Sequence, residues 1–268
     1  MSNRMSRIGM LACFVSALVV VFSYGSNVAS GASDSGLYRS QAVVSGQGEA
    51  NRVLGLAQCL EDVLVKVSGD PRLIGDPKVV ELTGQAAGFV ARFRYRDRMS
   101  SIPIHDEQGS YDRPHDLTVE FDKAKVDAAL QSLGREPWLS TRPRVVVFLA
   151  VHGRKESFAL TSDSEHDPDM RTALAAAAER VGLRMALPTR TQFALRGKSR
   201  DIPAEDFDVA LTGTLAWSDR ALGWIADWRL HSPGRTYHWQ IRGVGFDDAF
   251  RNGMRGAVQV LSGHGQPQ

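Results

Sequence analysis

Hydrophobic residues recur along this chain in two rhythms, and the rhythms alternate often enough to exclude an all-helical or all-strand fold. Tyr38–Val44 alternates as a strand does, and Ser45-Gly46-Gln47-Gly48 turns the chain. Val53, Leu56, Leu60, Val63, Leu64 and Val67 then repeat at helical spacing, which predicts a helix from about Ala50 to Val67. Ser68-Gly69-Asp70-Pro71 stops it, with a glycine that tolerates the left-handed conformation and a proline that cannot continue a helix. Asp76-Pro77 opens a second helix near Lys78–Ala87. Phe89–Arg96 sets aromatics against arginines on opposite faces of a half-buried strand, and His115–Phe121 reads as its antiparallel partner. Asp122 caps a helix that runs to Leu133, with Val126, Ala129, Leu130 and Leu133 facing inward.

The second half begins with Arg144–Val151, whose unbroken Val145–Ala150 run suits a strand covered on both faces. An acidic loop, Thr161–Asp169, leads into an alanine-rich helix, Met170–Val181, closed by Gly182 and followed by a short strand, Leu183–Leu187. Asp208–Trp217, Leu222–Leu230 and Thr236–Val244 form a meander joined by turn residues. A last helix carries Phe246, Phe250, Met254, Ala257, Val258 and Leu261 on one face and packs back on that meander. The expected fold class is therefore α+β: two small sheet-plus-helix sandwich domains, 37–138 and 142–262, divided in the Gly134–Pro143 stretch.

The N-terminus follows a third pattern. Residues 1–7 are polar and positive, Ile8–Phe22 is an almost continuous apolar run, and Val28-Ala29-Ser30-Gly31-Ala32 offers the small residues a signal peptidase reads. The expectation is a signal peptide over 1–32, cleaved after Ser30 or Ala32, and a periplasmic or secreted product. Fifteen apolar residues fall short of the ~20 a spanning helix needs, so an inner-membrane anchor through residues 8–22 is the lesser alternative. No integral span is expected once the signal is removed. Met10-Leu11-Ala12-Cys13 lies too near the start for a lipoprotein signal, so Cys59 is the one cysteine left. A single thiol cannot form an internal disulfide, and Cys59 borders the apolar helical face as a buried small hydrophobe.

Charge then narrows the partners. The chain has 32 basic and 30 acidic residues, and loss of Arg4 and Arg7 leaves them balanced. Such a chain has no bulk attraction for nucleic acid, and no nucleic-acid partner is expected. No residue set stands out as catalytic, cofactor-binding or metal-binding, and no cofactor is expected. Gly46-x-Gly48 lacks the third glycine of a dinucleotide loop, since Asn51 occupies that place. Asp163, Glu165, His166, Asp167 and Asp169 fail as a calcium loop, with Pro168 where glycine is required and Leu174 where a bidentate glutamate belongs. The simpler account is a solvated loop in which Asp169 caps the next helix, with a weak cation site in 161–169 as the alternative. The seven histidines show no zinc-type spacing, and no nucleophile elbow is present. Asp116, Glu120 and Asp122 share a strand face and could do acid–base work, although a solvent-facing row is the simpler account. Arg92, Arg94, Arg96 and Arg98 form a basic stripe, read as solvated or paired, with an anionic ligand as the alternative. Trp217, Trp224, Trp228 and Trp239 cluster in the meander, as an aromatic core or as a platform for a partner, peptide or glycan.

Several segments resemble a known family. Leu60–Asp70, Pro77-Lys78-Val79, Phe89–Arg96, Leu117–Asp122, Pro137-Trp138 and Arg142-Pro143 together resemble the proteobacterial secreted proteins grouped as domain of unknown function 2066. That resemblance implies no activity and transfers no site residue. The order of elements over 143–262 also resembles the N-terminal domain of TolB and related envelope modules, which implies work through protein contacts. The expected function is thus that of an exported envelope protein, non-enzymatic, with an unidentified envelope protein as partner. The alternative is a periplasmic small-ligand-binding protein or hydrolase that uses the cleft between the domains.

Overall fold

A computed structural model describes residues 36–101, 113–140, 142–196, 209–232 and 235–267, and among these it shows two sheets and six α-helices. The segment read as a signal peptide lies outside the described residues. The fold is α+β, as the alternating rhythms require.

The first sheet has three antiparallel strands in the order β1-β3-β2: β1 (Arg39–Ser45), β2 (Val90–Asp97) and β3 (Pro114–Phe121). Helix α1 (Glu49–Ser68) covers one face and seals Leu60, Val63, Leu64 and Val67 against Leu117 and Val119. Cys59 is buried in this layer, and burial followed by the nearby Asp62 pushes its thiol up to about 12. Gly69 ends α1 at φ 72°, and its N–H reaches the Val65 carbonyl at 2.8 Å. A short helix, α2 (Pro77–Thr83), is followed by a 3-10 turn where the periodicity suggested one longer helix. Asp122 caps α3 (Lys123–Ser132) by accepting the Lys125 N–H at 3.0 Å.

The second sheet is mixed. Along it run β5 (Ser157–Leu160), β4 (Arg144–His152), β7 (Val209–Ser218), β8 (Gly223–Ser232) and β9 (Arg235–Val244), with β6 (Arg184–Ala186) beside β4. β4 lies parallel to β6 and β7, and the β7-β8-β9 meander is antiparallel. The apolar run of β4 is indeed covered twice. Val145, Val147, Leu149 and Val151 face the main core under α4 (Pro168–Arg180) and α6 (Phe246–Leu261). Val146 and Phe148 face the other side, where Phe193 of α5 (Arg190–Arg196) packs on them. The short β5 and α5 carried too little periodicity to be foreseen.

Glycines on α6 make room for two buried indoles. A Cβ at Gly256 would stand 2.3 Å from Trp239, and one at Gly253 would stand 2.6 Å from Trp228, so no side chain fits there without displacement. Gly213 on β7 meets the other side of Trp228 in the same way. From Gly36 onward the described residues form one compact unit. Among them no helix is long and apolar enough to cross a membrane.

Candidate functional site

A cavity of about 660 Å³ lies where the open face of the first sheet meets α4 and β6. Its floor is a row set by strand register. Thr118 stands opposite Gln41 on one side and Arg94 on the other, and the Thr118 hydroxyl donates to the Gln41 side chain at 3.3 Å. The facing wall is α4, where Ala175 and Ala176 are too small to fill the space between the layers. Arg39, Lys66, Arg94, Arg180 and Arg184 line the cleft against one carboxylate, Glu179.

The cations differ in their commitments. Arg180 Nε donates to Asp62 Oδ1 at 2.8 Å. Lys66 is 6% exposed, and its ammonium donates to the Arg39 carbonyl at 2.8 Å. Burial pulls the Lys66 pKa down, against the attraction of Asp62 and Glu179. Burial also raises Asp62, outweighing the Arg180 charge and hydrogen bond. Arg39 and Arg94 form no ion pair among the described residues, and Arg184 gives one hydrogen bond to the Arg142 carbonyl at 2.8 Å. Three guanidinium groups are thus available to a ligand.

Arg142 fixes the geometry of this cleft. Its guanidinium, 7% exposed, donates to Lys66 O at 2.6 Å, to Val181 O at 3.1 Å and to Trp138 O at 3.2 Å. It therefore ties the C-terminal end of α1 to the C-terminal end of α4, the two helices that flank the cavity. The Trp138 ring stacks on it, 4.3 Å from the guanidinium carbon. Gly182, at φ 70°, closes α4 without a Cβ that would meet Arg142 at 2.9 Å.

A second buried knot sits just past α1. Asp70, fully buried, receives Arg72 Nε at 2.7 Å, Arg135 Nε at 2.6 Å and the Arg72 N–H at 3.1 Å. Burial opposes its ionisation, yet these donors hold its carboxyl down to about 2.

The expected site residues fall as follows. Asp116 and Glu120 do share a face, but Asp122 is the α3 cap and lies beyond the strand. Asp116 is only 3% exposed, not part of a solvated row, because Arg96 at 2.6 Å and Arg98 at 3.6 Å close over it. Arg92 pairs with Glu120 at 2.7 Å, so Arg94 alone of that stripe faces the cleft unpaired. The Gly46-x-Gly48 segment is a turn, with Gly46 at φ 73° and the Asn51 amide bonded to the Ser45 carbonyl. Asp169 does not cap α4. Asp167 precedes the helix and Pro168 opens it, which puts Asp169 within the first turn. Asp163 is engaged by the Arg190 N–H at 2.9 Å, and that bond lowers its pKa. Among the described residues no three His, Cys, Asp or Glu side chains converge as a metal site. The tryptophans divide: Trp228 and Trp239 are core, and Trp217 and Trp224 border a smaller cavity.

The model of a domain of unknown function (DUF8605) matches residues 32–139. No curated protein and no solved structure matches the chain. The resemblance to domain of unknown function 2066 is thereby corrected, and no TolB-like family is found. The misleading signal has a physical source. Val-Ser-Gly-Asp is a helix stop built from a left-handed glycine and an aspartate that accepts the next turn's N–H, a local solution that unrelated folds can reach.

Proposed function

We propose that this is an exported protein that acts by binding rather than by catalysis, with two α+β domains, 37–138 and 142–262, following a signal peptide at 1–32. Its site is the cationic cleft, and its ligand is a small molecule with two or more anionic groups, carboxylate or phosphoryl. The observation that carries this reading is the charge of the cleft: five cations against one carboxylate, in a chain of 32 basic and 30 acidic residues. Guanidinium groups held on strands and a helix suit planar, multidentate anion recognition. Binding is favoured over catalysis because the groups that could react are committed elsewhere. Asp116 and Glu120 are neutralised by arginines, Ser40 donates to Asp62, and the Cys59 thiol is sealed.

Calorimetry of the full chain with citrate, pyrophosphate and a nucleoside triphosphate tests this, at about 50 and about 300 mM salt. At least one probe should bind and weaken with salt, and the combined Arg94→Ala and Arg184→Ala variant should lose it. Failure of all three probes at low salt removes the anion reading. A fusion of residues 1–32 to a reporter that is active only after export tests the compartment.

A second reading, docking to a protein partner, draws on a different observation. Val43, Val53, Leu54 and Phe93 of the first sheet and its helix are exposed, Leu54 by 70%. Crosslinking from position 54 in cells distinguishes the two. A stoichiometric protein adduct favours docking, and its absence with intact anion binding favours the cleft.

A further inference from the structure

A second cavity stands at one end of the mixed sheet, beside the turns that follow β4 and β7. β4 and β7 run parallel and end together, with His152 opposite Ala216. At this end β4 turns back into antiparallel β5 and β7 turns back into antiparallel β8, so the cavity lies beside two hairpin turns. Its volume is about 360 Å³, at the small end of the range for ligand pockets.

Its walls are aromatic and its rim is charged in both senses. Trp217 and Trp224 meet edge to face, 5.5 Å between centroids at 90°, and Phe158, Met170 and Val151 complete the apolar lining. Trp217 is locked by its indole N–H, which donates to Asp219 at 2.8 Å, and by Arg154, which lies over the ring and pairs with Asp219 at 2.7 Å. At the rim Arg154 and Lys155 stand with Glu156 and Asp167. Asp167 is held at φ 44°, and its side chain makes no capping bond to the helix it precedes.

We propose that this cavity binds one ring of a neutral polyhydroxylated ligand, a saccharide. Indole faces carry negative quadrupole density and attract the weakly positive C–H face of such a ring. Two cations and two carboxylates at the rim supply equal donors and acceptors, which hydroxyl groups use because they both donate and accept. A ligand with net charge of either sign would meet two partners of its own sign there. This site is separate from the cationic cleft and shares no residue with it.

Saturation-transfer NMR on the full chain, with maltose, lactose and chitobiose as probes and glucuronate and glucosamine as charged controls, tests the assignment. At least one neutral disaccharide should bind, with transfer strongest to the C–H protons of one ring. Trp224→Phe and Asp167→Asn should each weaken it about tenfold, and Arg94→Ala should leave it unchanged. Trp224→Ala should abolish it; because Trp224 also touches the core, circular dichroism checks that variant, and the two milder ones decide if it does not fold. The proposal is overturned if no neutral disaccharide binds at about 10 mM. Preference for a charged control also overturns it, as does binding that survives both milder substitutions.

Discussion

The two cavities are made of opposite materials. The cationic cleft gathers residues from the first sheet, from α1 and from α4, so that Lys66 meets residues of α4 more than a hundred positions on, and its walls are braced by hydrogen-bonded polar groups. The aromatic pocket draws on the second sheet, its loops and the first turn of α4, and Trp224 on its wall packs against a core in which Trp228 and Trp239 are sealed. A chain of 32 basic and 30 acidic residues has thus sorted its charges by place. A nearly balanced total gives little bulk attraction to polyanions and says nothing about one cleft.

Removing the dry support should have the largest effect. Trp228 is fully buried between Gly213 and Gly253, so Trp228→Ala leaves a void that no neighbouring side chain can fill. The expected cost is about 3–5 kcal/mol by urea denaturation. Anion binding in the cleft should persist wherever the variant is folded. A loss below about 1 kcal/mol would mean that this core does not carry the second sheet.

Removing the polar brace comes next. Arg142→Met deletes donors to the carbonyls of Lys66, Trp138 and Val181, each stranded at a cost of about 1–3 kcal/mol. Relief of a buried cation, whose pKa burial lowers to about 10, offsets part of that. A net loss of about 3 kcal/mol is expected. The sharper readout is local. Hydrogen exchange should rise in residues 62–68 and 177–183, which flank the cleft, and stay constant in 224–241. Uniform acceleration across both regions would show that the two cavities do not rest on separate supports.

Much of the scaffold for both sites is legible in sequence because it rests on local signals. Asp122, Gly69 and Gly182 mark helix ends by their own chemistry, and the Val145–Ala150 run shows a strand covered on both faces. The four-residue β5 and seven-residue α5 are too short for a period to show. The sites are less legible, since each depends on partners remote in sequence. Asp116 and Glu120 reveal their shared face by spacing, but only strand register brings Arg96 and Arg92 over them. Asp70 reads as a helix stop until Arg135, 65 residues on, is seen to reach it. Trp217, Trp224, Trp228 and Trp239 lie in one meander, and no spacing says which pair ends at an open rim.

Acid should separate two aspartates on the α1 side of the molecule, and with them the two cavities. Folding lowers the Asp70 pKa from the ordinary value of 3.8 to about 2, so its ion pairs contribute about 2 kcal/mol at neutral pH. That contribution is lost as pH falls from about 4 to about 2. Asp62 moves the other way: burial raises its pKa, so folding favours its protonated form. Its contribution is fully present below the ordinary aspartate range and lost as pH rises through the raised value. Urea denaturation against pH should therefore lose its acid limb in Asp70→Asn, whereas Asp62→Asn should keep that limb and lose the opposing one. An acid limb unchanged in Asp70→Asn would refute the assignment. The same titration discriminates between ligands, because protonated Asp62 no longer neutralises Arg180, a wall of the cleft. Anion affinity should then rise as pH falls through the raised Asp62 pKa and stay level in Asp62→Asn. Saccharide binding, remote from that pair, should show no such step.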